Sequence, residues 1–420
     1  MLKDAIPTIG EAYMKRLITL ATTLAVSCIL HAQVVDSTVC DVLKAPASFN
    51  GKIVRIKGTA TAGFDQFILK DQNCGMRVNA IWLSYPEGTH GKAGPVALMQ
   101  MQAAKNFAGT VQAVQRTPVK MDKSKDFKQF DSLLATPHKI AGMCLGCNRY
   151  EVSATLVGRL DGVAQAAIKK DKAGKIVEID GFGNMNAYPA RLVIQSVAEV
   201  TPHDVDFSKS DEFARNDKPD ATKTVGLDPD AATTLSNYHS VAPTSPTLDT
   251  IQNIGDNAEK EASSFPAGSS AQVAIRRAAE AYGSKSARNG VVTGFGETNE
   301  VNPKNEAQGA RESPDGVLFN CTFNTSRLDS ESMTRAAIHI GEHIADIRTP
   351  QPEGELGTLY EMEYQAWATT VLGAVGARQR TLTLPGGYLL WNSAWPQSDQ
   401  DKELQSAING FLTKEEVLSR

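Results

Sequence analysis

Two histidines stand four residues apart in His339-Ile340-Gly341-Glu342-His343-Ile344-Ala345-Asp346. On a helix, at about 100° per residue, they lie about 40° apart and form one column with Asp346 beside it. Ile340, Ile344 and Ile347 cluster on an adjoining face with Ala336 and Ala337, which sets the column at the border of the buried side. Glu342 falls on the opposite flank. On a following helix, Glu363 stands in the stripe Leu359, Glu363, Ala366, Trp367, Thr370. A carboxylate on such a stripe needs a cation or hydrogen-bond donors, because burying it unpaired is costly. Two histidines one turn apart and a glutamate from a second helix make a ligand set for zinc, with the fourth position left to water. The same pair of histidines also fits half-exposed helix positions with no ligand at all.

The succession of strand, helix with His-x-x-x-His and second helix with a glutamate resembles the gluzincin-type zinc metallopeptidases, whose motif is H-E-x-x-H followed by a distant glutamate. HIGEHIAD is also similar to the HEGSHVAD-like sequence of some exported bacterial proteins, and LYEMEYQAW (359–367) and YLLWNSAW (388–395) resemble later parts of that pattern. The resemblance implies zinc held by His339, His343 and Glu363, with Asp346 supporting the ligands from behind, in a domain that acts on a peptide or protein. It fails at one position. Where those enzymes carry the glutamate that takes a proton from zinc-bound water, this chain has Ile340. General-base assistance is typically worth about 10²- to 10⁴-fold, so weak or absent peptidase activity is expected. A rival reading is the inverted motif H-x-x-E-H, in which Glu342 is the catalytic base. Glu342 lies on the other flank of the histidine column, so the two readings cannot share one active-site face.

The elements that must position these residues divide the chain unevenly. Residues 33–202 read as an all-β unit: KIVRIKG, FILKD, NAIWLSY, YEVSATLVGRLDG and ARLVIQSVAEV are short β-rich runs with turns between them, and KKDKAGKIVEI holds a turn at Gly174. In appearance this unit resembles the OB-like barrels of exported bacterial proteins. Residues 203–265 turn polar and read as a linker. Residues 266–420 read as an α+β, zincin-like unit. It opens with an Ala-rich helix over Ser270–Tyr282 that has Val273, Ala274 and Ala278 on one face. GVVTGFG and GVLFNCTF follow as strands, the latter with Val317, Phe319, Cys321 and Phe323 sharing a face. Helices are expected from the capping stretch 326–330 to just before Thr349-Pro350, over Leu359–Val375 and over Asp399–Leu412. The expected fold is therefore mixed.

Met14-Lys15-Arg16, the apolar run Leu17–Leu30 and Leu-His-Ala-Gln at 30–33 have the three parts of a secretory signal, so residues 1–32 read as a targeting segment with its start at Met14 and Gln33 as the mature N-terminus. Lipidation of Cys28 is the alternative. Export makes disulfides the default use of cysteine. Cys40 and Cys74 are expected to pair across the first unit and Cys144 with Cys147 locally, leaving Cys321 as an unpaired core thiol. A net charge of -4 gives no reason to expect a nucleic-acid partner, and no later apolar segment is long enough to span a bilayer. The basic stretch Lys120–Lys128 reads as a solvated loop, and GFGNMN (181–186) is rejected as a phosphate loop because it lies between strands. Two functions remain open: an exported, zinc-binding metallopeptidase relative without its base, or a non-enzymatic envelope protein whose barrel binds a ligand or protein above a structural second domain.

Overall fold

A computed structural model describes residues 34–71, 73–74, 80–103, 117–138, 143–170, 172, 176–205, 253–284, 286, 292–297, 317–324, 327–348, 359–379, 381–383 and 389–418. The targeting segment 1–32, Gln33, the Gly174 turn and most of the polar stretch, 206–252, lie outside the described residues. In chain order the elements are β1 (Val35–Ser37), α1 (Val39–Lys44), β2 (Ile53–Ala62), β3 (Phe67–Lys70), β4 (Ala80–Ser84), β5 (Ala97–Ala103), α2 (Lys125–Leu134), β6 (Met143–Cys144), β7 (Tyr150–Gly162), β8 (Ala167–Lys170), β9 (Ile176–Asp180) and β10 (Ala190–Asp204). There follow α3 (Ile254–Ala262), α4 (Ser270–Glu280), β11 (Val292–Glu297), β12 (Val317–Phe323), α5 (Ser330–Arg348), α6 (Leu359–Gly376), β13 (Thr381–Thr383), β14 (Leu389–Asn392) and α7 (Gln397–Leu418).

The five runs expected to be strands form a closed barrel. β2 pairs antiparallel with β3 and β7, β3 antiparallel with β4, β4 parallel with β10, and β10 antiparallel with β7. Along β7 the strand period of two sends Val152, Ala154 and Leu156 into the core and leaves Ser153 and Thr155 half-exposed. Two irregularities in the β7–β10 register, between Ile194 and Ser196 and between Ala198 and Thr201, let these long strands bend around the ring. The supposed loop Lys120–Lys128 instead runs into α2. Ser124 caps the helix by accepting from the Phe127 N–H, and Phe127, Phe130 and Leu134 enter the barrel core. The interleaved Lys and Asp residues masked that period.

A second core lies among the helices, and the first half of the sequence helps to build it. β5 leaves the barrel to pair antiparallel with β12, which pairs parallel with β11. Ala97, Met99 and Met101 therefore face the helical core together with Val317, Phe319, Cys321 and Phe323, while Leu98 faces the barrel core. The expected linker 203–265 is also shorter than its composition suggests: β10 runs to Asp204, and α3 buries Ile254, Ala258 and Ala262 at four-residue intervals. In α4, Ala274 and Ala278 are buried as expected, but Val273 is exposed at 47%. The Ala-rich helix turns its smallest residues inward because α5 crosses it closely. A Cβ at Gly341 would lie 2.3 Å from the Ala278 carbonyl oxygen.

Cys40, on α1, is bonded to Cys74, with Cα atoms 5.4 Å apart, and Cys321 is free and buried. Cys147 is also disulfide-bonded, while the side chain of Cys144, its expected partner, lies outside the described ones. The Cys40–Cys74 link spans a sequence separation of 34. Replacing both with serine is expected to lower the unfolding free energy by about 3–4 kcal/mol, measured by denaturant titration. Burial pushes the Cys321 thiol up, so it should resist iodoacetamide until the protein unfolds. Labelling of Cys321 in native protein would contradict that placement.

Candidate metal centre

α5 carries two ionisable faces. His339 and His343 are fully buried on one, their Nε2 atoms 2.9 Å apart. Glu363, from the neighbouring α6, brings Oε2 to 3.5 Å from His339 Nε2 and Oε1 to 3.4 Å from His343 Nε2. Phe64 and Trp367 wall the site, with ring centroids 4.9 and 4.1 Å from that of His339. The Glu363 side chain keeps 27% exposure, which makes it the most open member.

The fourth member is Asp65, from the hairpin between β2 and β3. One ligand atom from each of Asp65, His339, His343 and Glu363 lies within 4.8 Å of the others. The hairpin is fixed from several directions. Gly63 N–H donates to the Gln66 carbonyl at 2.8 Å, and the Phe64 carbonyl accepts from Val96 and Ala97 N–H at 2.6 and 2.8 Å, tying the hairpin to β5. Gly146 holds φ +75°, and a Cβ there would lie 2.5 Å from the Phe64 nitrogen. Asn184 donates from Nδ2 to Asp65 Oδ2 at 3.0 Å, while its own Oδ1 accepts from the Met99 N–H at 2.9 Å. The rejected glycine-rich stretch GFGNMN thus has a positioning role. Phe64 is 1% exposed and packs on both His339 and Trp367. Phe64→Ala is expected to cost about 3–5 kcal/mol by denaturant titration; a loss under about 1 kcal/mol would show that the hairpin does not depend on this packing.

The second face of α5 carries Glu342 and Asp346, both fully buried. Arg277 of α4 reaches Asp346 Oδ1 at 3.0 Å and Glu342 Oε1 at 3.6 Å. Glu342, the base of the inverted motif, is thus neutralised against α4 and is not among the four converging groups. Asp346 sits between the two faces: Arg277 holds it, and its charge acts on His343. Neither histidine Nδ1 has a hydrogen-bond partner among the described residues, unlike most metal-ligating histidines. Ile340, at the position of the missing glutamate, is fully buried in the helical core.

The electrostatics of the cluster are those of a site lacking positive charge. Burial, then the neighbouring Glu363 carboxylate, raises Asp65 well above the usual carboxylate range. Burial and the adjacent His343 push His339 down to about 4. For His343 burial also acts downward, but Glu363, Asp346 and Asp65 outweigh it and the value rises. Burial would raise Glu363, yet His343 and His339 hold it well below its ordinary value. Two facing Nε2 lone pairs and two adjacent carboxylates cannot be buried together without protons or a cation. In a tetrahedron with metal–ligand bonds of about 2.0–2.1 Å, neighbouring ligand atoms are roughly 3.3–3.4 Å apart. The 2.9, 3.4 and 3.5 Å separations bracket that edge. The residues present therefore fit a metal ion.

His339, His343 and Glu363 were all legible from spacing. Asp65 was not, because a single aspartate in a hairpin some 270 positions from the histidines carries no local signal. No helix among the described residues is long and apolar enough to cross a membrane. The chain matches no protein-family model, no curated protein and no solved structure.

Proposed function

We propose that this chain is an exported zinc protein built on a metallopeptidase-like helix pair that lacks the hydrolytic base. The observation that carries the reading is the convergence of His339 Nε2 and His343 Nε2, 2.9 Å apart, with Glu363 Oε2 and Oε1 at 3.5 and 3.4 Å from them respectively, in a buried setting that demands positive charge. Nitrogen and carboxylate donors in this number suit zinc. Zinc at such a centre would polarise a bound carbonyl and lower the pKa of a bound water. Ile340 can take no proton from that water, and Glu342 faces Arg277 on the other flank. Peptide hydrolysis is therefore weak or absent in this reading. The Cys40–Cys74 disulfide and the leader-like residues 1–32 support export.

The barrel's order, with its third and fifth strands parallel and its first strand paired to both the second and the fourth, supports an OB-like reading. OB modules bind ligands through the loop joining their first two strands and the loop joining their last two. Here those loops carry Asp65 and Asn184, which are engaged with the centre and with β5. That engagement commits Asp65 and Asn184 to the centre and to β5, and not to a ligand on the barrel surface. Metal analysis of purified full-length protein tests the reading. About one zinc per chain is expected, lost in His343→Ala and Glu363→Gln. Folded wild-type protein that takes up no zinc would refute it.

A further inference from the structure

We propose that Asp65 is a fourth protein ligand, so that the ion closes a clasp between the barrel hairpin and the helix pair instead of occupying an open catalytic position. The inference rests on His339, His343 and Glu363 forming a metal centre, and it fills the place which that reading leaves to water. Asp65 is 8% exposed and within ligand range of the other three groups. Its orientation is fixed before any ion arrives, since Asn184 grips Oδ2 and the hairpin backbone is bonded to the start of β5. Preorganisation of this kind is what a first-sphere ligand needs. Charge balance favours the same assignment. A divalent ion with two neutral imidazoles and one carboxylate leaves a net positive charge in a buried site. Adding the Asp65 carboxylate makes the group neutral, the state that burial favours. Two nitrogens and two oxygens also complete the four-coordinate shell of a structural zinc site.

The clasp joins parts of the chain that are distant in sequence. The hairpin belongs to the barrel, β5 to the sheet it forms with β12 and β11, and the histidines and Glu363 to α5 and α6. The ion would hold together what β5 already aligns.

Full-length protein loaded with Zn2+ or Co2+ decides the matter. Asp65→Asn keeps the volume and an acceptor for Asn184, so it should fold. It is expected to bind Zn2+ at least about 10-fold more weakly than wild type in chelator competition, the loss that even an outer-sphere partner can cause. Co2+-loaded wild type should keep its visible spectrum when thiocyanate is added, whereas Co2+-loaded Asp65→Ala should respond, because a coordination place has opened. A thiocyanate response in wild type, or Zn2+ affinity of Asp65→Asn within about twofold of wild type, would overturn the clasp and leave a three-ligand centre standing. Failure of folded wild type to take up either ion would overturn the metal centre itself.

Discussion

Ile340→Glu is expected to destabilise the protein by about 3–5 kcal/mol and to produce no peptidase activity. The substitution supplies the carboxylate that the H-E-x-x-H pattern has at this position, about 60° of helix rotation from His343. From the motif alone, it should create or raise hydrolysis. The structure reverses that expectation for two reasons. Ile340 is fully buried in the helical core with Ile344 and Ile347, so the variant loses apolar burial and places a carboxylate where only its neutral form is tolerated. In the clasp proposed above, Asp65 also takes the place that an activated water would need. Denaturant titration measures the first effect, and turnover of a broad peptide library by folded, zinc-loaded protein measures the second, with Ile340→Gln as the comparator. Clear turnover by the single variant would refute the argument and show an open coordination position.

The contrast marks what the sequence carries. Periodicity was sufficient for the barrel strands, because a strand with one buried face must alternate. It was sufficient for α5 and α6 as well, because the histidine column and the Glu363 stripe are statements about single helices. It could not reveal where β5 goes: ALMQMQA is a plausible strand in any sheet, and only the partner β12, more than two hundred residues later, places it among the helices. α3 was hidden for a related reason. Three inward residues, Ile254, Ala258 and Ala262, are separated by acidic, basic and amide side chains that resemble those of the polar stretch before them. Asp65 combines both difficulties. Its chemistry is created by two long-range arrangements, the hairpin on β5 and β5 beside α5, neither of which leaves a mark in the residues around it.

Removing the metal is expected to destabilise the protein increasingly as pH rises. A ligand present at about 1,000 times its dissociation constant stabilises the folded state by about 4 kcal/mol, which sets the scale of the loss. Its pH dependence follows from the metal-free cluster. Asp65 and His343 are both raised in the folded protein. Their contributions are therefore fully present below their unfolded values, about 3.9 and 6.5, and disappear as pH rises through the folded values. His339, depressed to about 4, works in the opposite sense: its contribution is present above about 6.5 and is lost as pH falls through the depressed value. Glu363, also depressed, loses its contribution only in stronger acid. Above about pH 6.5, then, His339 and Glu363 add no further change, while His343, raised above its ordinary value, goes on losing its contribution in the metal-free state. The bound ion needs His343 deprotonated, so its affinity rises over the same interval, by up to about tenfold per pH unit for the proton it displaces. Calorimetric melting of zinc-loaded and EDTA-dialysed protein at pH 6, 7 and 8 should show a gap in Tm that widens with pH. A gap that stays constant or narrows would mean that His343 holds no proton for the ion to displace in this range, contrary to its raised value.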